Sequence, residues 1–226
     1  DEFSALNLEK LYISSNSFKI YDNVILHYNG NDINLFYNYF CNILSKAIIK
    51  FYEPLKIKQE LSKISNLANK DLVKIEFVGY CKTSNVYLSD NMLRFSTENE
   101  YNINRFAKLL NNIENHNYQI EMQGKNYVVT TKNKNIMRLA NDKDLKIDGE
   151  MEEKAYIRGC FLGSGSINNP ENKYHIEVIF KQRQDAQNVI NMLQRYSINF
   201  KILEKENSTS IYSKDGEEIS KFLAFI

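Results

Sequence analysis

The stretch Ala155-Tyr156-Ile157-Arg158-Gly159-Cys160-Phe161-Leu162-Gly163-Ser164-Gly165-Ser166-Ile167 constrains this chain more than any other. It comes after the acids Asp148, Glu150, Glu152 and Glu153 and precedes an Asn168-Asn169-Pro170 turn. It therefore reads as a helix that leaves through Gly163-Ser164-Gly165 into a β-hairpin. A glycine inside a helix costs about 1 kcal/mol relative to alanine, so Gly159 needs a packing reason. Close approach of a second helix supplies one. The partner is Leu72-Val73-Lys74-Ile75-Glu76-Phe77-Val78-Gly79-Tyr80-Cys81-Lys82-Thr83-Ser84, in which Gly79 matches Gly159, Cys81 falls near Cys160 and Ser84 matches Ser164, at a spacing of 80 residues. An internal repeat sets the architecture before any local reading does.

The segments after the two helices match as well. The first copy continues with extended runs Asn85–Leu88 and Asn91–Thr97 and a helix over Tyr101–Ile113; the second has Ser166–Asn168, Tyr174–Lys181 and Gln184–Tyr196. The first copy then has a second hairpin, Tyr118–Glu121 and Tyr127–Thr131 around Gln123-Gly124-Lys125-Asn126, and a short helix Asn133–Ala140 with Ile136, Met137 and Leu139 expected in the core. The second copy has strands Phe200–Glu206 and Ser210–Ser213 and a final helix Glu217–Phe225. Lys56–Leu67 reads as a helix ahead of the first copy. The fold class is α+β: two pseudo-symmetric α-β-β-α-β-β-α halves, residues 56–147 and 148–226, each sheet with one buried and one open face. Residues 1–55 are an extra N-terminal strand-helix segment, with a strand within Phe18–Asn29 and a helix over 34–52 capped by Asp32. That segment is too small to stand alone.

Composition narrows the function classes. No apolar run approaches the ~18 residues of a membrane span, so no transmembrane helix is expected. Three cysteines without CxxC spacing argue for a reducing compartment and against a disulfide framework or zinc site. The absent initiator Met reads as a fragment or a processed chain. Residues 1–55 hold four basic and six acidic side chains and residues 56–226 hold 25 and 22, a surplus of three. Contact with nucleic acid must then come from local clustering of charge.

The pattern resembles the LAGLIDADG fold and, within it, the WhiA family of bacterial sporulation and cell-division regulators. Ile157 to Gly165 occupy the nine motif positions, and the extension from Tyr156 through Glu171 with Tyr174-His175-Ile176-Glu177 carries the resemblance; Gly79 to Ser84 with Phe95–Asn99 is the weaker first copy. The resemblance covers about residues 56–226. It implies a homing-endonuclease-like tandem repeat whose motif helices pack together and whose sheets form a saddle on duplex DNA. In LAGLIDADG nucleases each motif helix ends in an acidic residue, and the two carboxylates hold divalent metal for phosphodiester hydrolysis. Here Ser84 and Ser164 stand at those positions and Lys82 and Leu162 at the other acidic one, while Asn85 replaces the closing glycine that Gly165 keeps. The implied reading is a module without catalysis, metal or cofactor. It belongs to a DNA-binding, cytoplasmic, nucleoid-associated transcriptional regulator whose partners include duplex DNA and RNA polymerase sigma factor or another regulator. A chain of that family would continue past Ile226 into a helix-turn-helix domain.

Gly79, Gly159, Gly163 and Gly165, with Ser84 and Ser164, are expected to serve helix packing and turns. A serine nucleophile would want a His base and an orienting acid, and His27, His116 and His175 stand in no such motif. His175 is expected at an exposed or edge position, and Glu98, Glu171 and Asp185 as ordinary turn or helix-start acids. Candidate DNA contacts are Lys125, Lys132, Lys134 and Arg138 around the first half's second hairpin, and Lys173, Lys181, Arg183, Lys201 and Lys205 in the second half. Two other readings stay open: the same lysines merely solvate a sheet face of a protein-interaction scaffold, or the chain is an active homing endonuclease with relocated ligands.

Overall fold

The computed structural model describes residues 12–14, 17–21, 24–27 and 54–226, apart from 66, 90, 115–116, 143–144 and 169–173. The chain divides into two compact units, Asp1–Phe51 and Tyr52–Ile226. In the first, β1 (Tyr12–Ser14), β2 (Ser17–Tyr21) and β3 (Val24–His27) form an antiparallel sheet in that order. The strand expected within Phe18–Asn29 is β3, and β2 pairs antiparallel with it. The helix expected over 34–52 lies outside the described residues.

The second unit begins with α1 (Pro54–Ser62), shorter than the run read from sequence, and then adopts the repeat. The first half is α2 (Lys70–Cys81), β4 (Val86–Ser89), β5 (Met92–Thr97), α3 (Glu100–Ile113), β6 (Gln119–Gln123), β7 (Asn126–Thr131) and α4 (Lys134–Ala140). The second is α5 (Glu150–Ser164), β8 (Ser166–Ile167), β9 (Ile176–Phe180), α6 (Arg183–Arg195), β10 (Lys201–Lys205), β11 (Ser208–Ser213) and α7 (Gly216–Phe225). The α-β-β-α-β-β-α order holds in both. The sheets have matching antiparallel orders, β4-β5-β7-β6 and β8-β9-β11-β10. Asparagine and aspartate side chains start four of the helices: Asn69, Asn99, Asn133 and Asp215 each accept from first-turn amides.

Helix α2 packs along α5, and the glycines explain how. A Cβ on Gly79 would overlap the Tyr156 carbonyl oxygen and lie 3.2 Å from Gly159 Cα, and one on Gly159 would overlap the Glu76 carbonyl oxygen. Glu76 and Tyr156 are themselves repeat equivalents, so the pseudo-twofold axis runs between the two glycines. A Cβ on Gly163 would press on the side chain of Thr83, its own repeat equivalent. Gly165 leaves α5 with φ −65° and ψ 143°, a conformation open to any residue; it is glycine because a Cβ there would overlap Phe161.

Helix α3 packs on β5 and β7, and α6 on β9, β10 and β11. Central strands alternate as expected: Ile176, Val178 and Phe180 are buried, Glu177 and Ile179 half-exposed. Edge strand β6 is exposed along its whole length, Ile120 and Met122 included. In α4 the buried residues are Ile136 and Ala140, whereas Met137 and Leu139 are not fully buried, because a seven-residue helix offers the core one narrow stripe.

One polar cluster crosses the interior. Glu76 of α2 accepts from Arg105 Nε and Nη2 of α3, both at 2.8 Å, and from Arg158 Nε (3.1 Å) and Nη2 (2.8 Å) of α5. Arg105 Nη1 also donates to the Ile64 carbonyl at 2.7 Å and Arg158 Nη1 to that of Ile226 at 3.1 Å. All three side chains are buried. Burial alone would raise the Glu76 carboxyl, yet the arginine hydrogen bonds and charges outweigh it and hold the group below the usual carboxylate range.

Candidate nucleic-acid interface

Strand register assigns residues to the faces turned away from the helices. On the first sheet Tyr87, Arg94, Thr130 and Gln119 form one cross-strand row and Ser96, Val128 and Glu121 the next. On the second the rows are Ser166, Glu177, Tyr212, Lys201 and then Ile179, Ser210, Leu203. Charge on these faces is largely engaged. Arg94 Nη2 donates to Gln123 Oε1 at 2.6 Å, and Gln123 Nε2 donates to Glu121. Lys205 Nζ donates to Glu177 Oε1 at 3.1 Å, with His175 Nε2 3.9 Å from the other carboxylate oxygen. Burial alone would raise the Glu177 carboxyl, but hydrogen bonds from Ser210 and Lys205 bring it below the ordinary range. His175 is half-buried, not exposed, because the Tyr212 ring and the Glu177 carboxylate lie beside it.

The candidate basic residues do not form one patch. Lys125 lies in the turn at the tip of the β6–β7 hairpin, while Lys132 and Lys134 come after the far end of β7 and Arg138 lies on α4. Seven residues of extended chain put Lys125 roughly 23 Å from Lys132. Arg183 is committed to Glu204 at 2.6 Å. Lys201 and Lys205 share the open face of β10. Lys181 stands at the junction of the halves, its Nζ donating to the Val86 carbonyl at 2.6 Å. Lys173 and Glu171 lie outside the described residues.

Beneath the faces the two motif helices end together. Ser164 Oγ donates to the Ile179 carbonyl (2.7 Å) and accepts from the Ile179 amide (2.9 Å). The Ser84 amide donates to the same carbonyl at 3.1 Å, and Asn85 Nδ2 donates to the Gly163 carbonyl at 3.0 Å. Thr83 bridges to Phe180, and the Lys181 amide donates to the Lys82 carbonyl, so β9 of one half pairs with the helix exit of the other. Among the described residues no group of three His, Cys, Asp or Glu side chains is placed to hold a metal ion. No described helix is long and apolar enough to cross a membrane.

Sequence reasoning missed the Glu76–Arg105–Arg158 cluster. Its signal was a charge inside each apolar motif run, which announces a buried partner without naming it. It also missed Asp185, which proves half-buried. Burial raises its carboxyl, and Lys82 and Lys181 beside it pull the other way.

The model of the WhiA LAGLIDADG-like domain matches residues 85–142 and 153–226. A stretch of 73 residues is 44% identical to a protein of Clostridium botulinum (strain Hall) called "Probable cell division protein WhiA"; the stretch makes up 32% of this chain and only 23% of that relative. The crystal structure of the N-terminal LAGLIDADG domain of DUF199/WhiA superposes with a TM-score of 0.66 at 21% identity, over 77% of this chain and 90% of that one. I-DmoI in complex with DNA and Mn superposes with a TM-score of 0.52 at 14% identity, over 67% of this chain and 94% of that one. These likenesses carry the fold.

Proposed function

The chain belongs to the family of WhiA LAGLIDADG-like domains, and from that premise we propose that it is a DNA-associated regulatory module that lies against duplex DNA without cutting it. It serves in this reading as part of a WhiA-like regulator of sporulation and cell division, acting at the nucleoid and contacting a sigma factor or another regulator beside the DNA.

The observation that carries the reading is the chemistry at the two helix ends. Ser84 and Ser164 stand where a LAGLIDADG nuclease would need carboxylates. Divalent magnesium wants hard, anionic oxygen ligands close together. The Ser164 hydroxyl is neutral and already gives its donor and one acceptor lone pair to the Ile179 main chain. Lys82 adds a cation to a place where metal chemistry requires anions. The open faces above carry Arg94, Lys201 and Lys205 against Glu121 and Glu177, a modest positive balance suited to weak, salt-sensitive phosphate contact.

Fluorescence anisotropy of the chain on a random duplex of about 30 base pairs tests the binding half of the proposal, at low and physiological salt and with a chelator present. Binding is expected to weaken steeply with salt, to survive chelation and to fall when Lys201 and Lys205 are replaced by Ala. A plasmid-nicking assay with magnesium tests the other half, and nicking by the intact chain refutes it. The exposed apolar Ile120, Met122 and Leu203 favour a second reading, a protein-interaction scaffold on the same fold, and absence of DNA binding at low salt selects it.

A further inference from the structure

The pseudo-twofold axis creates two equivalent junctions, where the first turn of α3 or α6 meets the motif helix of the other half. One junction is sealed. Asn102, in the first turn of α3, donates to the Leu162 carbonyl of α5 and accepts from the Tyr80 hydroxyl at 2.7 Å, with Asn102 and Tyr80 both fully buried. At the other junction the repeat equivalents differ. Cys160 replaces Tyr80 and Asp185 replaces Asn102 in the first turn of α6, and the Tyr156 phenol of α5 lies at the cavity wall beside them. There a cavity of about 740 Å³ stands open, its wall including Lys82, Lys181, Gln184, Asp185, Asn188 and Tyr87.

We infer that this open junction is a binding site for a small phosphate ester carrying hydroxyl groups, of the ribose phosphate class. Its volume lies within the range of small-molecule sites. The Lys82 and Lys181 ammonium groups face an anionic phosphate, and the Asp185 carboxylate with the Gln184 and Asn188 amides suits a diol. Among the described residues neither Lys82 nor Asp185 closes a salt bridge, and both stand in the cavity wall. Gln182 makes no capping bond to the α6 amides, which leaves first-turn donors for the same anion.

Isothermal titration calorimetry of the 226-residue chain with ribose 5-phosphate, with inorganic phosphate and with ribose tests the site. Ribose 5-phosphate is expected to bind about tenfold or more tightly than either fragment, and Lys82→Ala to weaken it by about tenfold, the scale of one charge-assisted contact. Asp185→Asn is expected to narrow the gap between ribose 5-phosphate and inorganic phosphate, because the diol loses a charged acceptor while the phosphate loses only a neighbouring like charge. Thermal melts that overlay the unaltered chain establish that each variant folds. Absence of heat with ribose 5-phosphate, unchanged binding in a folded Lys82→Ala chain, or displacement of the sugar phosphate by a 30-base-pair duplex overturns the inference; the last would assign the phosphate to DNA.

Discussion

Replacing Glu76 by Gln isolates what burial does to an ion pair. Glu76 is fully buried and serves two guanidinium groups at once, with contacts of 2.8 to 3.1 Å. Glutamine keeps the shape but removes the charge and turns an NH2 toward an arginine, so two buried cations lose their counterion. Breaking a buried pair from one side costs about 3–5 kcal/mol. With a urea slope of about 2 kcal/mol per molar, the midpoint should fall by about 2 M. The chain has no tryptophan, so far-UV circular dichroism is the signal to monitor. The molecule contains its own control. Arg183 and Glu204 approach to 2.6 Å, yet their side chains are 66% and 59% exposed. Arg183→Ala should therefore cost no more than about 1 kcal/mol, since water screens that pair. If the two substitutions cost the same, distance alone would govern both pairs and the burial argument would fail.

Three other perturbations probe the same geometry. Gly159→Ala should destabilise despite a helix-propensity gain of about 1 kcal/mol, because its Cβ meets the backbone carbonyl of Glu76 and overpacking there costs about 1–3 kcal/mol; a raised melting temperature would contradict it. Glu76 is held below its unfolded value near 4.3, so its stabilisation is present above that pH and lost as pH falls through the folded value. Urea titrations below about pH 5 should show that loss, and the Glu76→Gln chain should show a flatter profile there. Asp185 is shifted upward, the opposite sign, so its ionisation opposes folding as pH rises through the folded value. Asp185→Asn should melt no lower than the unaltered chain at neutral pH, and a lower melting temperature would contradict the assignment.

The scaffold was legible because its signals are periodic. A glycine in each motif helix, two hairpins and two amphipathic helices recur at a nearly fixed spacing, and the structure keeps their order. What the sequence hid depends on pairing across distance. Arg158 lies in an apolar run and Arg105 on an amphipathic helix, but nothing local says that both reach Glu76. Lys125 and Lys132 look like neighbours in sequence, and a hairpin strand separates them by its whole length. His175 reads as an exposed or edge residue, yet Tyr212 of β11 and Glu177 of β9 lie beside it. Each miss concerns a contact between side chains whose proximity the folded sheet or helix pair creates.

The halves of this duplicated fold meet on the axis, Gly79 against Gly159 and Thr83 against Gly163, and other contacts cross beside it, among them Glu76 with Arg158 and Asn102 with the Leu162 carbonyl. Positions off the axis are free to diverge, and they have done so in a consistent direction. Glu76 and Tyr156, Tyr80 and Cys160, and Asn102 and Asp185 are equivalent in place and unlike in chemistry. The first member of each pair closes the interior with buried hydrogen bonds, as Glu76 does with two arginines and Tyr80 with Asn102. Asp185, by contrast, borders the side that stays open and charged. Buried hydrogen bonds thus gather around α2 and α3, whereas the start of α6 carries Asp185, whose upward-shifted carboxyl is expected to oppose folding. Groups that a fold keeps at a cost are the ones most economically explained by binding.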